Sequence, residues 1–270
     1  MTYDATSTML QYGAWNGVSW VVNTAVTAPS LYNPLLQLSP TNIPHLLYSG
    51  SSGLTRAYLS GNSWLTQTLP ISQQVEKFVL GDDGTYHLTY YDDNAGLVYG
   101  QWLGGWLTAT VTATTAVHDL VLDNNSVPHI VYHGSVGIVY GTWNGSSWIT
   151  ETIMSSHVPL GGGGGQDYLA LAFTADDQPV IVLSGMGGGM QAMMKIEGVW
   201  QAETVEVDPN VGFTSKLAVD AQDSPLIAYT DNTNGDLKFA WRDWTATVTT
   251  AGGMAYAHET ADFHVCSWCF

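Results

Sequence analysis

Polar and charged side chains interrupt the apolar segments of this sequence at two recurring places. One is the start of a continuously apolar segment, and the other is the end of the segment that follows it. Carboxylates, imidazoles, a phenol and an amine that converge could carry out general acid–base catalysis, or bind a polar ligand or a metal ion. The candidates for catalysis are Glu76, Lys77, Tyr91, His118, Asp119 and His133. The candidates for ligand binding are Tyr91, Asp92, His133, Lys216, Asp231 and Trp268.

An alternative interpretation of the same charges involves no ligand. Glu76 and Asp119 are acidic, while Lys77 and Lys216 are basic. These four side chains could pair with one another at a solvated surface. The residue types alone leave this structural interpretation open beside ligand binding and catalysis.

The elements that would position these residues belong to an internal repeat. An aromatic residue, a short turn and a tryptophan recur along the whole chain, at intervals of 42 to 52 residues between closing tryptophans. Those tryptophans are Trp20, Trp64, Trp106, Trp148, Trp200 and Trp244. Upstream of the turn lie an apolar strand A, a polar turn and a strand B that often opens with proline, and strands C and D flank the turn itself. Four short strands in a period of about 40–45 residues are typical of a β-propeller blade.

The two ends of the chain decide how the predicted propeller closes. Residues 1–27 supply strands C and D, and residues 251–270 supply strands A and B, so together they would complete a sixth blade. Such pairing removes a free sheet edge that would invite aggregation. We therefore predict an all-β, six-bladed propeller in a single domain of residues 1–270. The complete blades are predicted at residues 28–70, 71–112, 113–154, 155–206 and 207–250.

In propellers, the loops between strands D and A and between strands B and C gather at one end of the central channel. Loops held by a rigid scaffold are a common place for function. The candidate residues would then surround the mouth of the channel, and the second and third repeats would supply most of them.

Histidines and tryptophans also recur at fixed places in the repeat. His45, His87, His129 and His264 share one position of strand B, which favours a structural hydrogen bond over catalysis. A second set occupies one position of strand C, and consists of Trp15, Trp102, Trp143 and Trp241. Aromatic rings repeated in this way are mostly core between blades, with platforms for sugar rings as the alternative.

The charge of the chain narrows the class of partner. There are 23 Asp and Glu residues against 6 Lys and Arg, a net charge of −17. Nucleic acid and an anionic membrane surface are not expected, because both require clustered basic side chains. A neutral glycan or another small polar ligand fits better, and we expect a monomer.

Cofactors and location are less constrained. We predict no cofactor, although the channel leaves room for a calcium or other divalent ion. Cys266 and Cys269 supply half of a zinc site without a second pair, so we interpret them as packed residues, with a disulfide or a metal site including His264 as alternatives. No stretch approaches the roughly 20 apolar residues of a transmembrane helix. The first residues do not resemble a signal peptide, and we slightly favour a secreted or cell-surface location over a cytoplasmic one.

Two turns of the repeat carry a resemblance to a known family. The Trp-Asn-Gly-x-x-Trp segments at 15–20 and 143–148 resemble turns of fucose-binding propeller lectins of bacteria and fungi. The resemblance implies an arginine, a glutamate and an aromatic residue in each site between blades. Because Arg56 and Arg242 are the only arginines, repeated fucose sites of that kind are not expected.

Three functions therefore compete. The favoured one is a lectin-like carbohydrate-binding module, with several equivalent sites between blades. The second is an enzyme with a single site at the channel mouth, in which His118→Ala would abolish activity without unfolding the chain. The third is a structural scaffold for interactions.

Overall fold

The structure is a computed structural model that describes residues 8–114, 117–155, 169–185, 189–242, 245–251, 254–260 and 263–266. These residues form β-strands and turns, and no helix that could cross a membrane occurs among them. The chain divides into two compact units, Met1–Thr115 and Ala116–Phe270.

The strands of the first unit are joined by short polar turns. They are β1 (Met9–Trp15), β2 (Trp20–Thr27), β3 (Leu31–Leu38), β4 (Pro44–Gly50), β5 (Gly53–Ser60), β6 (Ser63–Thr68), β7 (Val75–Leu80), β8 (Tyr86–Asp92), β9 (Gly96–Trp102) and β10 (Trp106–Thr112). β1 and β2 form a two-stranded sheet. β3 to β6 form an antiparallel four-stranded sheet, blade 1, and β7 to β10 form blade 2.

The second unit continues the same pattern. Its strands are β11 (His118–Leu122), β12 (Pro128–Gly134), β13 (Gly137–Trp143), β14 (Trp148–Met154), β15 (Leu169–Phe173), β16 (Pro179–Gly185), β17 (Gly189–Ile196), β18 (Val199–Glu206), β19 (Val211–Val219), β20 (Pro225–Asp231), β21 (Asp236–Arg242), β22 (Thr245–Ala251), β23 (Met254–Thr260) and β24 (Phe263–Cys266). Blade 3 contains β11 to β14, and blade 4 contains β15 to β18. Blade 5 has the strand order β19-β20-β21-β24, and β22 pairs with β23.

The described residues thus form five blades, and the prediction of six blades was wrong. The predicted sixth blade required β1 and β2 to share a sheet with the C-terminal segment. Instead, β24 occupies the fourth place of blade 5, which the predicted blade of residues 207–250 left to the segment that follows Trp244. That segment, β22, pairs with β23, and Ala251 lies opposite Met254. Gly252 and Gly253 separate the two strands in the sequence, and a Gly-Gly pair between strands favours a local hairpin over a distant partner.

The turns between the first two strands of each blade have a common conformation. The residue two positions before the second strand adopts a positive φ, which Gly, Asn and Asp tolerate best. The positions two residues before the second strand are Asn42, Gly84, Ser126, Asp177 and Asp223, and all have a positive φ. This turn chemistry fixes the register of the strands that follow, because a one-residue slip would turn every side chain to the opposite face.

In the second unit these turns also link neighbouring blades. The Asp177 carboxylate of blade 4 accepts hydrogen bonds from the Asn124 backbone amide and the Asn125 side chain of blade 3, both at 2.8 Å. The Asp223 carboxylate of blade 5 accepts one from the Ala175 amide of blade 4 at 2.6 Å. The blades of this unit are therefore tied at the turns as well as through their apolar faces.

Apolar side chains from adjacent blades form the core. In the second unit, Val131 and Ile138 of blade 3 pack in one cluster with Leu171 and Ile181 of blade 4. These residues are at most 4% exposed, so each contributes roughly 1.5–3 kcal/mol of burial energy. The tryptophans predicted at one position of strand C differ in burial. Trp143 is 5% exposed and belongs to the core, whereas Trp15 on β1 is 55% exposed.

Three of the four recurring histidines of strand B make structural hydrogen bonds, as predicted. His87 Nδ1 lies 2.7 Å from the Tyr99 hydroxyl, and His129 Nδ1 lies 2.6 Å from the Tyr140 hydroxyl. His45 Nδ1 lies 2.6 Å from the Tyr86 hydroxyl of the next blade. Each of these partners is a tyrosine, and His129 Nε2 also lies 3.3 Å from Asp123 Oδ2 in the turn before its own strand. His264 lies on β24 and packs beside Trp241.

Candidate functional site

A pocket between blades 3 and 4 is lined by an acid, a base and one aromatic residue. Its volume is about 410 Å³, within the roughly 300–1,000 Å³ of small-ligand sites. The pocket is lined by Tyr140, Thr142, Ile149, Thr150, Glu151, Asp177, Gln178, Pro179 and Lys195. We refer to it as the inter-blade pocket.

Glu151 and Lys195 form an ion pair across the pocket. Glu151 lies on β14 opposite Tyr140, and Lys195 lies near the end of β17 opposite Trp200. The Lys195 Nζ and Glu151 Oε1 atoms are 2.7 Å apart, and the two side chains are 28% and 45% exposed. Because the pair is open to water, it adds about 1 kcal/mol or less to stability. Its polar atoms remain within reach of a ligand.

Two rings stand beside this ion pair. The Lys195 Nζ lies 5.5 Å from the centre of the Trp200 ring, within cation–π range. The Tyr140 and Trp200 rings meet edge to face at 5.2 Å. Trp200 is half-buried and lies beside the residues that line the pocket. An indole face beside charged hydrogen-bonding groups suits the apolar face and hydroxyl rim of a sugar ring.

Glu151 is held in its charged form. Burial raises the pKa of Glu151, but the Lys195 ammonium and the Trp200 side chain stabilise the carboxylate more strongly and lower its pKa below the usual value. At neutral pH the pocket therefore presents an acceptor and a donor side by side. This combination can bind two neighbouring hydroxyl groups of one ligand.

A second acid–base pair occupies the equivalent position one blade further on. Glu203 lies on β18 opposite Ala192, and Arg242 lies at the end of β21. The Arg242 Nε and Glu203 Oε2 atoms are 3.0 Å apart, but Arg242 is only 6% exposed. The arrangement is thus repeated in the second unit, and the more accessible copy is Glu151–Lys195.

Three of the residues predicted from the sequence line one pocket in blade 2. Glu76, Tyr91 and Asp92 surround a cavity of about 440 Å³ together with Gln73, Gln74, Asp93 and Asn94. Val75 lies opposite Tyr90 and Lys77 opposite Thr89, so Glu76 is the extra residue of a β-bulge. Bulges bend a strand and redirect a side chain, and they are common beside functional sites.

The two carboxylates of this blade 2 pocket differ in their surroundings. Burial raises the pKa of Glu76, although the Lys77 charge and a hydrogen bond from Gln74 oppose the rise. Asp92 caps its own turn, because its Oδ1 accepts hydrogen bonds from the backbone amides of Asn94 and Ala95. Asp92 therefore has a structural task whether or not a ligand binds.

Lys77 lies on β7 of blade 2, and the other described candidates lie in the second unit, at strands A and B of blades 3 and 5. His118 is buried, and the backbone amide of His133 donates to the Val117 carbonyl. Asp119 Oδ2 accepts a hydrogen bond from the Leu171 amide of blade 4 at 3.0 Å. The strand registers place Lys77, Asp119 and Lys216 at equivalent positions of their blades, and Lys216 is exposed.

Asp231 is buried in an ion cluster. Its carboxylate accepts hydrogen bonds from Asn234 and from the Thr233 amide, and lies 3.2 Å from the Lys238 Nζ. Hydrogen bonds from Asn234 lower the pKa of Asp231 to about 2. Lys238 also contacts Glu206 at 2.8 Å, so the ammonium is shared by two carboxylates.

Trp268 and Cys269 lie outside the described residues. Among the described residues, no group of three or more His, Cys, Asp or Glu side chains is placed to hold a metal ion.

Glu151, Lys195 and Trp200 were not predicted as a group from the sequence. Their signal was present: Gln67, Glu151 and Glu203 occupy one position of strand D, as the strand registers show. The position stands out only when strand D is aligned in the same way as strands A and B. Even then, the sequence does not say that this position faces the end of strand C in the next blade.

Comparison with solved structures places this architecture among known folds. AofleA from Arthrobotrys oligospora superposes with a TM-score of 0.58 at 12% identity, over 95% of this chain and 82% of that one. A mutant of the Aleuria aurantia lectin in complex with Fucα1-6GlcNAc gives 0.55 at 11% identity, over 94% and 88%. Virginiamycin B lyase from Staphylococcus aureus gives 0.58 at 9% identity, over 94% and 78%.

The chain has an all-β propeller fold. At these identities the likeness extends to the fold alone, and the neighbours include a lectin and a lyase, so the fold does not select between them. No protein-family model matches the sequence, and neither does any curated protein.

Proposed function

We propose that this propeller is a lectin-like carbohydrate-binding protein that holds a neutral sugar in the inter-blade pocket. The observation that carries the proposal is the Glu151–Lys195 pair beside the partly exposed Trp200 ring. Carboxylate and ammonium would bind adjacent hydroxyl groups, and the indole would pack against the apolar face of the ring. The fucose-specific lectin of Aleuria aurantia, which shares the fold, supports the choice of a neutral glycan.

The chemistry of the chain as a whole agrees with this ligand class. A net charge of −17 opposes anionic ligands, whereas a neutral sugar brings no charge to repel. The equivalent Glu203–Arg242 pair would offer a second, less accessible site. We keep Tyr91 and Asp92, together with His133, Lys216, Asp231 and Trp268, as secondary candidates for ligand contact.

The test is calorimetric titration with methyl α-L-fucoside and a panel of neutral methyl glycosides. We expect one or more glycosides to bind, and Glu151→Gln or Lys195→Met to weaken binding by at least about tenfold. Asp82→Asn changes an exposed carboxylate of the first unit and serves as the matched control. Thermal unfolding of each variant separates lost binding from lost folding. If no glycoside in the panel binds, or if Glu151→Gln leaves the affinity unchanged, the proposal fails.

An enzymatic function is the second candidate, and Glu76 favours it. A half-buried carboxyl group with a raised pKa on a β-bulge, beside Tyr91, has the features of a general base or acid. Virginiamycin B lyase, an enzyme crystallised with quinupristin, shares the fold. Incubation with quinupristin, followed by liquid chromatography and tandem mass spectrometry, tests this chemistry, because an elimination that opens a ring leaves the mass unchanged but alters retention and fragmentation. Loss of turnover in Glu76→Gln would support the second candidate, and unchanged retention and fragmentation would remove this substrate.

A further inference from the structure

A second pocket adjoins the inter-blade pocket. Its volume is about 360 Å³, and it shares Gln178, Pro179 and Lys195 with the first. Lys195 therefore stands between two cavities, with Glu151 and Trp200 on one side. A ligand longer than one sugar ring, bound beside Lys195, would extend into the second cavity.

The second pocket has an apolar floor and an acidic rim. Val180 and Met194 are buried at the floor, and the side chain of Ile196 is 38% exposed above them. Asp176, Glu197 and Asp223 stand around the edge, the first two exposed to solvent. The Lys195 ammonium is already paired with Glu151 at 2.7 Å, so it offsets little of this negative charge.

The two cavities thus differ in the ligand group that each would accept. The inter-blade pocket offers a matched donor and acceptor to a neutral ring. The second pocket offers carboxylates to a positive charge and an apolar surface to a ring face. An anionic substituent there would approach three carboxylates without a free basic partner among the residues that line the pocket.

We propose that the groove formed by the two pockets binds an amino-sugar oligosaccharide of at least two residues, with a protonated amine held in the second pocket. This inference rests on the proposed function, because it assumes that one sugar ring occupies the inter-blade pocket. It adds the minimum length of the ligand and the charge that the second position prefers. Asp176 and Glu197 determine that preference, and Ile196 and Met194 support the second ring.

The test compares glucosamine, the β-1,4-linked glucosamine dimer, the N-acetylated dimer and an oligogalacturonate dimer by calorimetry on the intact chain. We expect the glucosamine dimer to bind about tenfold or more tightly than the monomer, and the galacturonate dimer to bind most weakly. The double variant Asp176→Asn/Glu197→Gln should remove the advantage of the amine over the N-acetyl group. Asp82→Asn/Asp208→Asn makes the same change of net charge elsewhere and should keep that advantage.

The outcomes separate the two proposals. If no saccharide of any length binds, the proposed function itself fails. If single rings bind through Glu151 and Lys195, but the dimer gains nothing or the double variant changes nothing, the inference alone is overturned. Tighter binding of the galacturonate dimer would likewise overturn the inference, because it would contradict the charge preference of the second pocket.

Discussion

At the scale of the residue, burial decides which polar groups act on structure and which are available for binding. His87 is 2% exposed, and its Nδ1 is hydrogen-bonded to Tyr99. Glu151 and Lys195, by contrast, satisfy each other while remaining open to solvent. Histidine is often a candidate for catalysis, yet here the exposed acid–base pair is the better candidate for ligand contact.

The His87 environment predicts a loss of stability in weak acid. Burial lowers the pKa of His87 to about 4, so the unfolded chain binds a proton that the folded chain rejects. The contribution of His87 is complete above pH 6.5 and is lost as the pH falls towards 4, at a cost on the order of 3 kcal/mol. Thermal unfolding between pH 4.5 and 7.5 measures this, and His87→Gln should flatten the profile. His264 is exposed, so His264→Gln is the control. An equal flattening of the pH profile by that variant would contradict the assignment of the acid sensitivity to His87.

At the scale of the element, glycines set how closely strands C and D approach each other. Gly137 opens β13 with a φ of +137°, and a Cβ there would collide with the Met154 carbonyl oxygen at the end of β14. Gly189, at the equivalent start of β17, meets the Glu206 carbonyl in the same way. Strands C and D in these blades can adopt their register only because no side chain stands at this position.

Gly137→Ala should therefore destabilise blade 3 strongly. The alanine adds both a strained backbone angle and a steric collision, which together cost roughly 2–4 kcal/mol. Gly105→Ala is the matched control, because a Cβ at Gly105 would meet no atom within 4 Å. Urea unfolding measures the difference. Equal midpoints for the two variants would show that blade 3 relaxes around the added methyl group.

At the scale of the whole molecule, charge is the dominant property. The net charge of −17 at neutral pH creates self-repulsion that favours expanded states. Added salt screens this repulsion, since the Debye length falls from about 30 Å at 0.01 M to about 3 Å at 1 M.

We expect the melting temperature at pH 7.5 to rise when sodium chloride is increased from low millimolar to molar concentration. Differential scanning calorimetry measures the change. A chain in which local ion pairs such as Lys238–Asp231 dominated would instead melt at a lower temperature in salt, so the direction of the change decides between the two.

The candidate residues that share one position of the repeat were predictable from the sequence only in part. The repeat placed Lys77, Asp119 and Lys216 at equivalent positions, because the alternation of side chains along a strand is local. The partners of those residues were not predictable: Asp119 binds the Leu171 amide of the next blade, and Asp231 is engaged in its own turn. Contacts across blades depend on how sheets stack, which a single repeat does not encode.

The sequence by itself determined the β-strands, the propeller repeat and the turns, because hydrophobic alternation and turn chemistry act over a few residues. The tertiary structure decided two things. It paired β22 with β23 in a local hairpin and β24 with the edge of β21, giving five blades among the described residues where six were predicted, because an unpaired sheet edge accepts whichever strand lies beside it. It also brought Glu151 of one blade to Lys195 of the next, since only the stacking of blades makes two residues 44 apart in sequence line one pocket.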